Sequence, residues 1–339
     1  MKQLSLVIPH YNDVATTIGT LDSLYSTIDI DMDKFEVIVV DDGSQEKIPS
    51  DYKWCPNASY VHHFTNLGVG QAFDLGVRLA SAENIILMGA DIRFKNNGWA
   101  SRMLKVIDKE PEALIATACG STINESKHYC GADVIFKLSA EQLSDNHPRK
   151  GVQNYKAVFE GKWRGQTGRG VYPVPSLMGA FYGVKKRWYE YIRGFELHYI
   201  WGSLEPYISL KSWILGGKVL VDTENKTYHM WRTPQRSARF DALMYNQILI
   251  SSVVMYNYGK KYVDYLYDRH SSTYIIASDI ARNRQAEIAY LAEYIKDRRV
   301  MEPKELEELM VNMSVEYNKE TRFPNPLDEV ESEEKYHFN

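Results

Sequence analysis

Residues 84–94 read NIILMGADIRF. Four large apolar residues, Ile85 to Met88, run into Gly89, Ala90 and the carboxylate of Asp91. A short apolar run bounded by glycine predicts a strand buried on both faces. Asp91 is then either a cap for the next element or a charge held at the strand's carboxyl end. The preceding sequence repeats the arrangement. LSLVIP (4–9) is followed by Asn12 and Asp13, which open a helical pattern carrying Ile18, Leu21, Leu24 and Tyr25. FEVIVV (35–40) closes on Asp41-Asp42-Gly43-Ser44. SYVHHF (59–64), a weaker strand, leads into Asn66-Leu67-Gly68-Val69-Gly70 and a helix bearing Ala72, Leu75, Leu79 and Ala80. Apolar strands alternating with helices predict an α/β fold, with a mainly parallel sheet covered on both faces. Ligands in such folds sit beyond the carboxyl ends of the strands. Pro9-His10-Tyr11-Asn12, Asp41 to Ser44 and Gly89 to Asp91 should therefore converge on one edge.

The bulk numbers suit this reading. Hydrophobic residues make up 44% of 339 and charged residues 25%, the balance of an ordinary globular protein. A net charge of -4 gives no global attraction to nucleic acid or an anionic membrane. Three cysteines without C-x-x-C spacing point to reduced thiols, and so to a cytoplasmic protein. The apolar run at the N-terminus is too short for a signal peptide, and Pro9 interrupts it. No run reaches the roughly 18 apolar residues of a membrane span. Ile248 to Met255 reads as a buried helix.

Farther along, ALIATACG (113–120) and GADVIFKL (131–138) predict strands, and residues 149–170 a basic loop. Order returns over 171–232. Residues 236–339 predict a helical C-terminal extension that ends in an acidic, frayed tail.

Several polar residues carry two readings. Asp41 and Asp42 suit a plain turn, or supply acceptors for a nucleobase or ribose. Asn66 to Gly70 opens a helix but is neither a Walker loop nor a full G-x-G-x-x-G, since Phe73 fills the third glycine position. Asp91 could meet a divalent cation that bridges a diphosphate. His229, in TYHMWR, gains meaning only if a second ligand comes near. Glu205 suits a helix N-terminus, or a general base at a cleft-facing helix end.

Together the motifs resemble a family. IPHYND, VVDDGS, NLGVGQAFDLGVRLA and ILMGADI are similar, in order and spacing, to the nucleotide-sugar half of family 2 glycosyltransferases with the GT-A fold. PSLMGAFYGVKKRWYEYIRGFE, WGSLEPYISLKSWILGGKV and YHMWR resemble the acceptor half of polypeptide N-acetylgalactosaminyltransferases and β-1,4-galactosyltransferases. The resemblance implies a GT-A domain over 1–235, with a nucleotide-sugar half (1–113) and an acceptor half (114–235). It implies that Pro9, Tyr11 and Asp42 line the nucleoside pocket with Asn66 and Gly68 alongside. Asp91 and His229 would be metal ligands, Arg232 would reach the diphosphate, and Trp201 and Gly202 would border sugar and acceptor.

The departures are specific. Gly89 stands where the family has the first acid of D-x-D, and Asp74 where its third motif has Asn. Leu204 replaces the first acid of W-G-G-E-D, and Glu205 falls where inverting members keep their base.

The expected function is metal-assisted transfer, with inversion, from a nucleotide-sugar, taken as a UDP-sugar, to an acceptor hydroxyl. An oxygen-plus-imidazole ligand set suits Mn²⁺ better than Mg²⁺. The acceptor would be a saccharide, a protein or a modified nucleic acid. Hydroxymethylated DNA is the alternative that a basic loop with Arg149, Lys150, Lys156, Lys162, Arg164 and Arg169 could serve. A non-catalytic nucleotide-sugar-binding module is the rival that Gly89 keeps open. The helical extension would shape the acceptor side or a dimer interface, so a homo-oligomer is one option.

Overall fold

The computed structural model describes residues 1–46, 48, 55–123, 127–136, 159–230, 239–259, 263 and 271–318. The strands are β1 (Leu4–His10), β2 (Phe35–Asp41), β3 (Ala58–His62), β4 (Asn84–Met88), β5 (Ile92–Arg93), β6 (Ala113–Ser121), β7 (His128–Phe136), β8 (Phe159–Gly165), β9 (Val171–Pro173), β10 (Phe181–Lys185) and β11 (Lys218–His229). The helices are α1 (Val14–Thr27), α2 (Val69–Leu79), α3 (Trp99–Lys109), α4 (Lys186–Tyr191), α5 (Leu204–Ile214), α6 (Phe240–Val253), α7 (Ser271–Asn283), α8 (Gln285–Arg298) and α9 (Pro303–Asn318).

The strands form one mixed sheet in the order β3-β2-β1-β4-β10-β6-β11-β5. β3, β2, β1 and β4 pair in parallel, β6 pairs in parallel with β11, and β10 runs antiparallel between the two sets. Six of the eight strands on this path therefore point the same way. Their carboxyl ends share one edge, as the alternation of apolar strands and helices predicts.

Side-chain alternation divides the core. Leu4, Leu6 and Ile8 pack with Leu21 and Leu24 of α1 and Met103 and Ile107 of α3. Val7, Ile38 and Val40 face the other way, onto Ala72, Phe73 and Val77 of α2. Tyr207 and Ile208 of α5 join that second face. Each fully buried aliphatic chain contributes about 1.5–3 kcal/mol. Buried residues of α6 (Tyr245, Leu249), α8 (Leu291, Ile295) and α9 (Leu306, Met310) belong to the same second core. The helices after residue 239 thus pack on the sheet's own core. No helix among the described residues is long and apolar enough to cross a membrane.

One expectation is corrected. Residues 159–165, expected in a basic loop, form β8 and pair with β7. Arg164 is buried, with Nη1 3.4 Å from Asp133 Oδ1. A buried, paired arginine masks the apolar alternation by which a strand is read. Arg164 is thus not available to a phosphate, while Lys162 and Arg169 are exposed. Arg149, Lys150 and Lys156 lie outside the described residues, as does the acidic tail from 319.

Candidate active site

The site forms at the shared carboxyl edge. At the end of β4, Gly89 N–H donates to Ala180 O at 2.7 Å and Thr20 Oγ1 donates to Ala90 O at 2.5 Å. The chain then runs across the sheet edge, and β5 pairs with the end of β11, setting Ile92 opposite His229. Met230 N–H donates to the Asp91 carbonyl at 2.9 Å. This two-residue strand brings Asp91 Oδ1 to 3.4 Å from His229 Nε2. Neither side chain is closed off, at 26% and 17% exposed respectively. Two donors bound at about 2.1 Å to one ion sit about 3 Å apart, so a carboxylate oxygen and an imidazole nitrogen at this separation fit a divalent cation. Among the described residues no third His, Cys, Asp or Glu completes a group of three around it.

Gly89 gains a packing reason. A Cβ there would meet Asp91 Oδ1 at 2.7 Å and Ala180 Cβ at 3.2 Å. The first acid of a D-x-D pair has no room while Asp91 holds this position.

Glu205 lies in the first turn of α5, after Ser203. Tyr182 of β10 donates its phenol proton to Glu205 Oε1 at 2.9 Å. Burial pushes the Glu205 carboxyl up; its own backbone N–H, Tyr182 and His229 pull it back. A carboxylate raised in this way is a better proton acceptor near neutral pH.

Asp42 sits differently from its expected role at the base. It is 3% exposed. Oδ1 accepts from Leu67 N–H at 2.9 Å and contacts His63 Nδ1 at 2.7 Å, and Oδ2 accepts from Gly68 N–H at 2.7 Å. Both oxygens are thus committed to protein donors, so Asp42 organises the 66–68 loop. Gly43 is required beside it, since at φ +78 its Cβ would meet Thr65 C at 2.6 Å. Asn12 ties the neighbouring ends together. Its N–H donates to Ser44 Oγ at 2.9 Å, and its Oδ1 accepts from Gln45 N–H at 2.7 Å. Tyr11 is 37% exposed at this edge, with Pro9 and Asn66 partly exposed.

Gly68, expected beside the nucleoside, bridges the two halves of the chain. It forms an isolated bridge with Ile200, and a Cβ would lie 2.4 Å from Ile200 Cα. Farther along α2, Asp74 Oδ1 accepts from Tyr189 Oη at 2.5 Å and Phe195 N–H at 2.9 Å. Burial pushes Asp74 up, and Tyr189, Phe195 N–H and the buried Lys211 pull it back. An acid in place of the family's Asn therefore has a local use.

The loop carrying Trp201 and Gly202 is strained, with Ile200 at φ 48, Gly202 at φ 95 and Ser203 at φ 57. α6 holds it. The buried Asn246 donates to Tyr199 O, Trp201 O and Gly202 O within 2.9–3.1 Å and accepts from Tyr199 N–H at 2.9 Å. Gln247 binds Ser203 Oγ and accepts Phe159 N–H at 2.9 Å. Trp201 is left 54% exposed. Sequence reasoning missed Tyr182, Asn246 and Gln247. The adjacent amides in the apolar run LMYNQILISSV were the available clue. Arg232 lies outside the described residues.

His198 braces the same loop, with Nε2 2.9 Å from Gly202 O and only 1% exposure. The carbonyl only accepts, so Nε2 carries a proton. Burial depresses its pKa from 6.5 to about 4. Between those values the unfolded chain binds a proton that the folded chain refuses, so stability is lost as pH falls through that window. The expected loss is on the order of 3 kcal/mol. Urea unfolding at pH 7, 5.5 and 4.5 measures it, and a His198→Gln variant should show a flatter dependence. An equal dependence in both proteins counts against this origin.

Residues 5–160 match the profile of "Glycosyl transferase family 2". The fold is similar to that of GalNAc-T7, solved with UDP, GalNAc and Mn²⁺. The TM-score is 0.68 at 15% identity, over 93% of this chain and 58% of that one. Residues 5–160 thus resemble family 2 glycosyltransferases, and the fold is like that of GalNAc-T7. Among curated relatives, the chain is 24% identical over 254 residues to polypeptide N-acetylgalactosaminyltransferase 8 of Drosophila melanogaster. That alignment covers 71% of this chain and 40% of the relative. It is 22% identical over 278 residues to polypeptide N-acetylgalactosaminyltransferase 12 of Mus musculus, covering 77% and 45%. The chain thus spans less than half the length of these relatives. A mannosyltransferase of Pyrobaculum calidifontis, solved with GDP-Man and Mn²⁺, aligns with a TM-score of 0.50 at 14% identity, over 94% of this chain and 88% of that one.

Proposed function

We propose that this protein is a glycosyltransferase that moves a sugar from a nucleotide diphosphate sugar to an acceptor hydroxyl with inversion. The observation that carries the reading is the Asp91–His229 pair at 3.4 Å on the carboxyl edge of the sheet. Asp91 and His229 would hold a divalent cation, Mn²⁺ in preference to Mg²⁺. When bound, such an ion neutralises charge that develops on the leaving diphosphate. Arg232 would add a cationic side chain there. Pro9, Tyr11 and the Asn66–Gly68 loop, shaped by Asp42, would border the nucleoside. A UDP-sugar is the preferred donor, since the structural relative with the higher TM-score was solved with UDP.

On the acceptor side, Trp201 and Gly202 would border the transferred sugar. Glu205 would take the proton of the attacking hydroxyl at Oε2, on the face opposite the leaving group. This geometry is that of inverting glycosyl chemistry. A protein or saccharide acceptor suits the exposed Trp201, because an aromatic face with one wet side binds amphipathic rings.

A thermal-shift screen of nucleotide sugars with Mn²⁺ tests the reading. A ligand at 100 times its Kd stabilises by about 2.7 kcal/mol, which gives a shift of several degrees. The expected result is a UDP-sugar shift that a chelator abolishes. No shift with any nucleotide sugar would refute the proposal.

A further inference from the structure

We propose that Tyr182 is a positioning residue for sugar transfer: its phenol orients the Glu205 carboxylate and ties that orientation to the loop carrying Asp91. The inference rests on the reading of Glu205 as the base. Tyr182 is 1% exposed, and its ring is packed into the core between β4 and β6. The oxygen of its phenol accepts from Ala180 N–H at 3.0 Å. That contact directs the phenol's own proton to Glu205 Oε1, 2.9 Å away. Pinning Oε1 leaves Oε2 as the oxygen that meets the acceptor hydroxyl.

The other side of Ala180 completes the path. Its carbonyl accepts from Gly89 N–H at 2.7 Å, two residues before Asp91. Ala180 does both jobs at φ 55, a left-handed conformation that costs a non-glycine residue free energy. Such strain persists where surrounding structure requires one geometry. Here it turns the Ala180 N–H toward the base and its carbonyl toward the metal-side loop. One residue thus links the Glu205 side of the site to the strand end that leads into Asp91.

A buried tyrosine could instead serve packing alone, and the two roles separate in kinetics. Tyr182→Phe keeps the ring that fills the core and removes only the hydroxyl. The expected result is a kcat lower by about 10- to 100-fold, the range in which small misplacements act. KM for donor and acceptor should stay within about twofold, since ground-state binding is untouched. Glu205→Gln should be crippled alone, and adding Tyr182→Phe to it should cost its residual turnover nothing more, because coupled residues are not additive. A cooperative thermal transition lowered by no more than several degrees, as expected for two lost hydrogen bonds, certifies the fold. If Tyr182→Phe leaves kcat unchanged, or lowers it equally in the Glu205→Gln background, the positioning role is overturned while the base assignment stands. If Glu205→Gln alone keeps wild-type kcat, the base assignment falls and takes this inference with it.

Discussion

Glu205→Gln should lower the rate of sugar transfer by about 100- to 10,000-fold, the span that a positioned general base contributes. The substitution is nearly isosteric and keeps an oxygen to accept the Tyr182 phenol, so folding and donor binding should persist. Only the ability to take a proton is lost. The wild-type enzyme should also show the base in its pH profile. Burial raises the Glu205 carboxyl, and a general base acts only in its deprotonated form. The rate should therefore rise with pH through a value above the ordinary carboxylate range, and Glu205→Gln should abolish that limb. Steady-state transfer assays from pH 4.5 to 8 measure both effects. A variant within about threefold of wild type, far inside the span for a base, would remove Glu205 from the chemistry.

Asp91→Ala should cost at least about 100-fold in turnover, the loss typical when one preorganised charge-stabilising group is removed. The effect should be large because the described site offers just two side chains to a cation. Without Asp91, His229 alone remains. The side chain is partly exposed and outside the apolar core, so the fold should tolerate its loss. The discriminating readout is binding. The Mn²⁺-dependent part of the thermal shift with UDP should vanish, while any metal-independent part stays. A variant that keeps its Mn²⁺-dependent shift would place the cation elsewhere.

Much of the fold was legible because each signal was local. Apolar runs such as Ile85 to Met88 could only be buried, and each ended on polar residues at the same edge. Asp91 and His229 could be named separately but not joined, because they stand 138 positions apart in the chain. β5, two residues long, makes that junction, and so short a strand leaves no periodicity to read. β8 was hidden for a related reason. Arg164 looks like a solvated charge until Asp133 is placed opposite it.

Asp42 shows where a motif names a residue but not its task. The pattern D-D-G-S puts an acid at the end of β2, yet its oxygens turn to the Leu67 and Gly68 amides. Gly68 in turn belongs to the contact with Ile200.

By itself, the sequence determined the alternating strands and helices, the edge on which their polar ends meet, and the acids and histidine available there. These follow from burial of apolar runs and the chemistry of side chains, both encoded residue by residue. The tertiary structure alone decided which of those groups face each other. It set Asp91 beside His229, Tyr182 against Glu205, and Asn246 under the Trp201 loop. Those distances depend on how separate elements cross and pack, and no stretch of chain carries that information alone.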